Sequence, residues 1–262
     1  MRPAHTDLAI LRTLALEAGA AIMNIYEKNA IAATAKSDQS PVTEADLAAD
    51  AVIRAGLARQ FPGIAVLSEE SPDVLPRDTA LFFLVDPLDG TREFISRNGE
   101  FTVNIALIEN GRSIAATVHA PAINATYIAA EGLGAWRHDE NGITLALKTH
   151  LHTESEPLRV LASRSHHSPG TEAFIARLPA PVTLIQSGSS LKFCTLASGA
   201  ADLYPRFGPT SQWDTAAGQC ILEQAGGLVL TVDGEPMRYG LDLPLLNPSF
   251  IALATPALRA ML

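Results

Sequence analysis

Leu8, Leu11, Ala15, Ala18, Ile22 and Ile25 recur at helical spacing near the start of the chain, and Thr6 or Asp7 stands where an N-cap belongs. A second helix is written more clearly. Ala45, Ala48, Ala49, Val52, Ile53, Gly56 and Leu57 follow the i, i+3, i+4, i+7 pattern, and Glu44, Asp50, Arg54 and Arg59 lie off that stripe. Thr43 precedes Asp46 by three residues, the spacing of an N-cap hydroxyl and an acid at the third helical position. Lys36 to Pro41 reads as a polar loop between the two helices. Strand patterns follow at 64–67, and at 81–85, where a continuous apolar run predicts a strand covered on both faces. Residues 102–108 and 113–119 flank Asn110-Gly111, the strongest short signal for a hairpin turn. Further strands are predicted at 126–130 and 144–147.

The pattern changes across residues 150–157, a polar stretch suited to a linker. Beyond it strands and helices alternate: strands at 158–162, 182–185, 203–204, 228–231 and 250–254, and helices at 171–178, 191–198 and 214–225. The expected class is therefore α+β. An N-terminal α+β half with an antiparallel sheet spans 1–152, and a C-terminal α/β half with a mixed or parallel sheet spans 153–262.

Composition narrows the function. Of 262 residues, 47% are apolar and 18% charged, a globular profile. The net charge of −9 argues against binding polymeric nucleic acid, which needs clustered cations. It leaves room for small anionic substrates, since bound metal ions reverse the local sign. The two cysteines, Cys194 and Cys220, read as small core hydrophobes in a reducing compartment. No secretory leader is evident behind Met1, and no apolar run approaches a membrane span, so a soluble cytoplasmic protein is expected.

The segment Phe82-Phe83-Leu84-Val85-Asp86-Pro87-Leu88-Asp89-Gly90-Thr91 carries the most chemistry. A buried strand is expected to stop at Asp86, because Pro87 cannot donate to a sheet ladder. Asp89 would then cap the next helix, and the Gly90 and Thr91 amides would form an anion site at its start. Two carboxylates are hard oxygen ligands suited to Mg²⁺. One carboxylate shared by two cations would hold them at the ~3.5–4 Å of two-metal phosphatases. Glu69 ends another strand in Ser68-Glu69-Glu70, Asp214 opens a helix after Trp213, and Asp46 sits in its capping position. Each of these three has an ordinary structural reading when taken alone.

Together, in order and spacing, the pieces resemble one family. Leu84-Val85-Asp86-Pro87-Leu88-Asp89-Gly90-Thr91 and Trp213-Asp214-Thr215-Ala216-Ala217-Gly218 match the two signatures of the inositol monophosphatase superfamily of Mg²⁺-dependent, Li⁺-sensitive phosphatases. The resemblance implies an αβαβα layered sandwich with the active site between its halves. It implies two or three Mg²⁺ ions. Glu69, Asp86 and the Leu88 carbonyl would hold one; Asp86, Asp89 and Asp214 would hold a second; a third, weaker ion would sit near Glu69. Thr91 and Asp46 would orient and deprotonate the attacking water, with the phosphate on the Gly90 and Thr91 amides.

The segments 97–107, 188–194 and 203–210 are similar to those of the bacterial 3′(2′),5′-bisphosphate nucleotidase branch, associated with sulfur assimilation. Arg206 stands where inositol-specific relatives carry an acid. A guanidinium cannot accept hydrogen bonds from ring hydroxyls but can grip a second phosphate in a bidentate fork. Ser189 and Lys192, one helical turn apart, would face the same ligand. His166, Ser189, Lys192 and Arg206 are thus the expected contacts to the nucleoside and the non-reacting phosphate, with His166 and its neighbour His167 both open as the inward one. The expected substrate is a small nucleotide, adenosine 3′,5′-bisphosphate, with its sulfated analogue as a second. The alternatives are an inositol or other sugar phosphate and, from another class, a non-catalytic nucleotide-sensing module. The resemblance leaves monomer and homodimer open, and in some relatives it carries peripheral association with the inner membrane face.

Overall fold

The computed structural model describes residues 2–28, 33–35, 41–71, 75–139, 141–153, 155–164 and 168–261. Helix α1 (His5–Tyr26) is capped by Ala4, not by Thr6 or Asp7. Asp7 is instead the acid at the third position, accepting the Ala4 N–H at 2.7 Å. Strands β1 (Ala33–Ala35) and β2 (Pro41–Thr43) form a small antiparallel ribbon before helix α2 (Glu44–Gln60). Of the polar loop predicted at 36–41, residues 36–40 lie outside the described residues and Pro41 is the first residue of β2. Contrary to the sequence expectation, α1, with 22 residues, is long enough and, over an 18-residue window with a mean hydropathy of 1.5, apolar enough to cross a membrane. Here its apolar face, including Leu8, Leu11, Leu14 and Ile22, is core.

The first sheet holds β3 (Ala65–Ser68), β4 (Leu81–Asp89), β5 (Thr102–Glu109), β6 (Arg112–Ala120), β7 (Ala125–Ala130), β8 (Gly134–His138) and β9 (Thr144–Ala146) in sequential order, with the short helix α3 (Thr91–Ile95) after β4. It is antiparallel apart from the parallel β3–β4 pair. Asn110 and Gly111 both take positive φ, +50° and +80°, which gives the β5–β6 turn the twist that the flanking strands need. Strand β4 does not stop at Asp86. Asp86 pairs with Asn104 and Asp89 with Thr102, so three steps on β4 oppose two on β5. This one-residue bulge lets the strand pass Pro87, whose missing N–H falls where the ladder is already broken.

Strand β10 (Leu158–Ser163), helix α4 (Pro169–Ile175), strand β11 (Val182–Ser187), helix α5 (Leu191–Ala197), strand β12 (Leu203–Arg206), helix α6 (Gln212–Gln224), strand β13 (Leu228–Thr231) and strand β14 (Phe250–Leu253) complete the chain. The second sheet runs β11-β10-β12-β14-β13. Strand β10 is parallel to both neighbours, and the β12–β14 and β14–β13 pairs are antiparallel. This is the mixed sheet that the alternation predicts.

Side-chain alternation assigns the layers. Phe83, Val85, Ile105 and Leu107 share a core with α1 and α2, while Phe82, Leu84, Ala106 and Ile108 share one with α5, α6 and the second sheet. The outer α4 and a terminal 3₁₀ turn (Pro256–Met261) contact β12 and β14. The order of layers is αβαβα. Asp86 has the parity of Phe82 and Leu84, so it faces the α5–α6 layer. Buried Asp202 takes His150 Nδ1 at 3.1 Å and Arg159 Nη2 at 2.8 Å. Burial works to raise this carboxyl, but hydrogen bonds from Arg159 outweigh it and hold Asp202 below the usual carboxylate range.

Candidate active site

Three separate devices bring carboxylates together. The bulge in β4 leaves Asp86 buried, with its Oδ1 accepting the Leu88 N–H at 3.1 Å. The Glu69 N–H donates to the Val85 carbonyl at 3.1 Å, extending the β3–β4 pairing by one residue and setting Glu69 beside Asp86. The turn that bears Glu69 is moored to α2. The Ser68 and Ser71 hydroxyls donate to Asp50 at 2.5 and 2.6 Å, and Arg54 Nη1 donates to the Ser71 carbonyl at 3.0 Å. Asp214 is not the N-cap of α6 but its third residue, with Oδ2 accepting the Ser211 N–H at 2.8 Å. Glu69, Asp86 and Asp214 each offer an oxygen within 4.8 Å of the others'.

Crowding shows in their acidity. Burial first, then the negative charges of Glu69, Asp89 and Asp214, push the Asp86 carboxyl well above its ordinary value. Burial and Asp89 do the same to Asp214.

Asp46 fills two places at once. Its Oδ2 accepts the N–H and hydroxyl of Thr43 at 2.8 and 2.7 Å, capping α2, while its Oδ1 accepts the Thr91 hydroxyl at 3.2 Å. The capping reading and the relay reading describe one carboxylate. Thr91 Oγ1 is also 3.4 Å from the Leu88 carbonyl.

Asp89 does not cap α3. Gly90 is the N-cap, at φ +92°, and a side chain there would meet the Glu100 carbonyl at 3.1 Å, so glycine is required. Asp89 instead directs Oδ2 across the cleft, accepting the Ser190 N–H at 2.6 Å, the Ser190 hydroxyl at 2.7 Å and Asn104 Nδ2 at 3.3 Å. Burial raises its carboxyl, and the Lys192 charge works against that rise. Ser190 and Asn104 escaped the sequence reading. Their only signal was position, Asn104 opposite Asp86 on the neighbouring strand and Ser190 beside Ser189.

Lys192 and Arg206 line the same cleft of about 230 Å³ as Glu69, Asp86, Thr91 and Asp214. Both are buried, Lys192 at 5% and Arg206 at 8% exposure, so neither is an ordinary surface charge. The helical-turn argument for Ser189 does not hold, because Ser189 precedes α5 with φ +45°. What joins the pair is Lys192 Nζ, which donates to the Ser189 carbonyl at 2.6 Å. Arg206 Nη2 donates to the Pro209 carbonyl at 2.9 Å, and its buried Nε has no partner among the described residues. Burial pulls the Lys192 ammonium down to about 8, against the raising effect of Asp89. His166 and His167 lie outside the described residues.

The donor set fits a divalent cation. Buried acids held above their ordinary range by burial and then by mutual repulsion gain from a cation between them, and carboxylate oxygens with a nearby carbonyl are hard ligands. The cleft thus carries both an acid cluster and two buried cations.

The profile of the inositol monophosphatase family matches residues 4–261. The chain is similar to the 3′(2′),5′-bisphosphate nucleotidase CysQ of Shigella flexneri, 46% identical over 240 residues that cover 90% of this chain and 95% of the relative. The Buchnera aphidicola CysQ is 39% identical over 246 residues, covering 92% and 91%. Among solved structures, CysQ from Bacteroides thetaiotaomicron, a bacterial member of the inositol monophosphatase family, superposes with a TM-score of 0.82 at 40% identity, covering 95% of this chain and 97% of that one.

Proposed function

Because the chain belongs to the inositol monophosphatase family, we propose that it is a magnesium-dependent 3′(2′),5′-bisphosphate nucleotidase. It removes the 3′-phosphate of adenosine 3′,5′-bisphosphate to leave AMP and phosphate, acts also on the sulfated analogue, and serves sulfur assimilation in the cytoplasm. One observation carries the choice of substrate: buried Lys192 and Arg206 line the cleft that holds the acid cluster. A substrate with two phosphates matches a cleft that offers both a cation-seeking acid cluster and a buried pair of cations. The two free, buried cysteines suit a reducing compartment.

Glu69, Asp86, Asp89, Asp214 and the Leu88 carbonyl would hold two or three Mg²⁺ ions. Bound magnesium supplies positive charge that makes water more acidic and neutralises the ester oxygens. The protein's own groups do the rest. The Gly90 and Thr91 amides, at the start of α3, seat the reacting phosphate. Thr91, already donating to Asp46, accepts a proton from the attacking water as its own passes toward the carboxylate. Water oxygen bonds to phosphorus, the bond to the 3′-oxygen breaks, and that oxygen takes a proton from solvent water in the cleft to leave as an alcohol, while the proton taken up by Asp46 returns to solvent. Ser189, Lys192 and Arg206, with His166, hold the nucleoside and its 5′-phosphate, which fixes the 3′-ester over the acids.

A phosphate-release panel tests this. With Mg²⁺ the bisphosphate nucleotide gives the highest kcat/KM, and a chelator abolishes release. A higher value for inositol 1-phosphate would sink the nucleotidase reading and leave a phosphatase. No release from any ester would sink both.

A further inference from the structure

Ser190 joins the two halves of the chain at the acid cluster. Its Oγ lies 2.7 Å from Asp89 Oδ2, 2.7 Å from the Asp214 carbonyl and 2.8 Å from Asn104 Nδ2. Its N–H adds the 2.6 Å bond to the same Asp89 oxygen. Ser190 and Asn104 are each 1% exposed, so water does not compete for these bonds. The chemistry restricts how they are shared. Asn104 Nδ2 can only donate, so Oγ accepts from it, and the single hydroxyl proton goes either to Asp89 or to the Asp214 carbonyl. The backbone just before Ser190 is strained. Ser189 sits at φ +45°, a strained region for a non-glycine residue, and the Lys192 ammonium donates to its carbonyl.

We propose that Ser190 is a positioning residue. It fixes the rotamer of Asp89 and its spacing from the Asp214 backbone, and through them the affinity of the acid cluster for divalent cations. Oδ2 of Asp89 is committed to protein donors, which leaves Oδ1 for a cation. The inference rests on the metal-dependent reading above.

The test is direct Mn²⁺ binding, followed by the EPR signal of the free ion, alongside the Mg²⁺ dependence of phosphate release. Ser190→Ala keeps the N–H and deletes the hydroxyl; Ser190→Cys keeps the shape but weakens the donor, and carries the test if the alanine variant does not fold. Both variants should bind Mn²⁺ about tenfold or more weaker, as expected when the group orienting a ligand is lost. At saturating Mg²⁺ their kcat should stay within about threefold of the parent, since no reacting atom is touched. A wild-type Mn²⁺ midpoint with lowered kcat or Tm would overturn the inference, because that is what a purely structural serine would give. If the unmodified protein neither binds Mn²⁺ nor releases phosphate, the metal-dependent reading itself falls.

Discussion

The Thr91 hydroxyl donates to Asp46 Oδ1 at 3.2 Å, joining a residue at the start of α3 to one in the first turn of α2, 45 positions earlier. A carboxylate that caps a helix is fixed in place, and this one turns its second oxygen to the cleft.

Removing the relay should cost rate more than binding. Thr91→Ala is expected to lower kcat by about 10²–10³, within the range of general acid–base effects, while Thr91→Ser keeps most of it. Asp46→Ala should show a similar loss and also lower Tm by a few degrees, since it removes the acid that closes the capping box with Thr43, a contribution of about 1 kcal/mol. Steady-state kinetics beside thermal scans check both; an unchanged kcat in Thr91→Ala would remove the hydroxyl from the mechanism.

The acid cluster should make the metal-free protein sensitive to pH in a specific direction. Asp86 and Asp214 have carboxyls raised in the fold, so between the ordinary carboxylate range and their raised values the folded state binds more protons than the unfolded state. Stability of the metal-free protein therefore falls as pH rises through that window, and is flat below it. Mg²⁺ should raise Tm most at neutral pH and little at acid pH. Asp86→Asn should raise the Tm of the chelated protein at neutral pH by a few degrees and abolish the Mg²⁺ response. A Tm gain from Mg²⁺ that did not grow with pH would contradict the cluster.

Lys192 gives the pH profile a limb of its own. With its ammonium at about 8, it loses charge as pH climbs past that value, and with it the attraction for an anionic group. The kcat/KM for the bisphosphate should fall above about pH 8. Lys192→Arg should extend the plateau upward, since a guanidinium stays charged. Lys192→Met should remove the limb and lower kcat/KM about a hundredfold. A profile identical in all three proteins would place Lys192 outside substrate binding.

Arg206 should set the choice of ester. Arg206→Ala is expected to reduce kcat/KM for the bisphosphate by about 10²-fold, the cost of losing a charge-assisted pair. Inositol 1-phosphate, with no second phosphate, should change within about threefold. Equal losses on both esters would argue that the guanidinium acts through the fold alone.

Much of this arrangement is legible in the chain because each piece is local. The Asn110-Gly111 turn, the helix stripes and the apolar β4 run are short-range patterns, and the structure places them within a few residues of where periodicity puts them. The misses have a common cause. Pro87 argues for a strand end, yet tertiary pairing continues the strand through a bulge that no local rule announces. Asp89 looks like a cap, yet its partner lies 101 residues away at Ser190. Strand β8 (Gly134–His138) shows no clean alternation of apolar and polar residues and is held by its neighbours on both sides. What the sequence cannot express is the donor reaching a side chain from another part of the fold, and the acid cluster is built from such contacts.

The core on the α5–α6 side mixes Phe82, Ala106 and Val118 of the first sheet with Phe193 of α5, Ala216 of α6 and Phe250 of the second sheet. Gly218 lets α6 approach so closely that a methyl group there would lie 2.4 Å from the Phe193 ring. Severing the polypeptide within 150–157 would accordingly yield two fragments that each bare an oily face, insoluble when made apart and able to regain a working cleft only by complementation when made together.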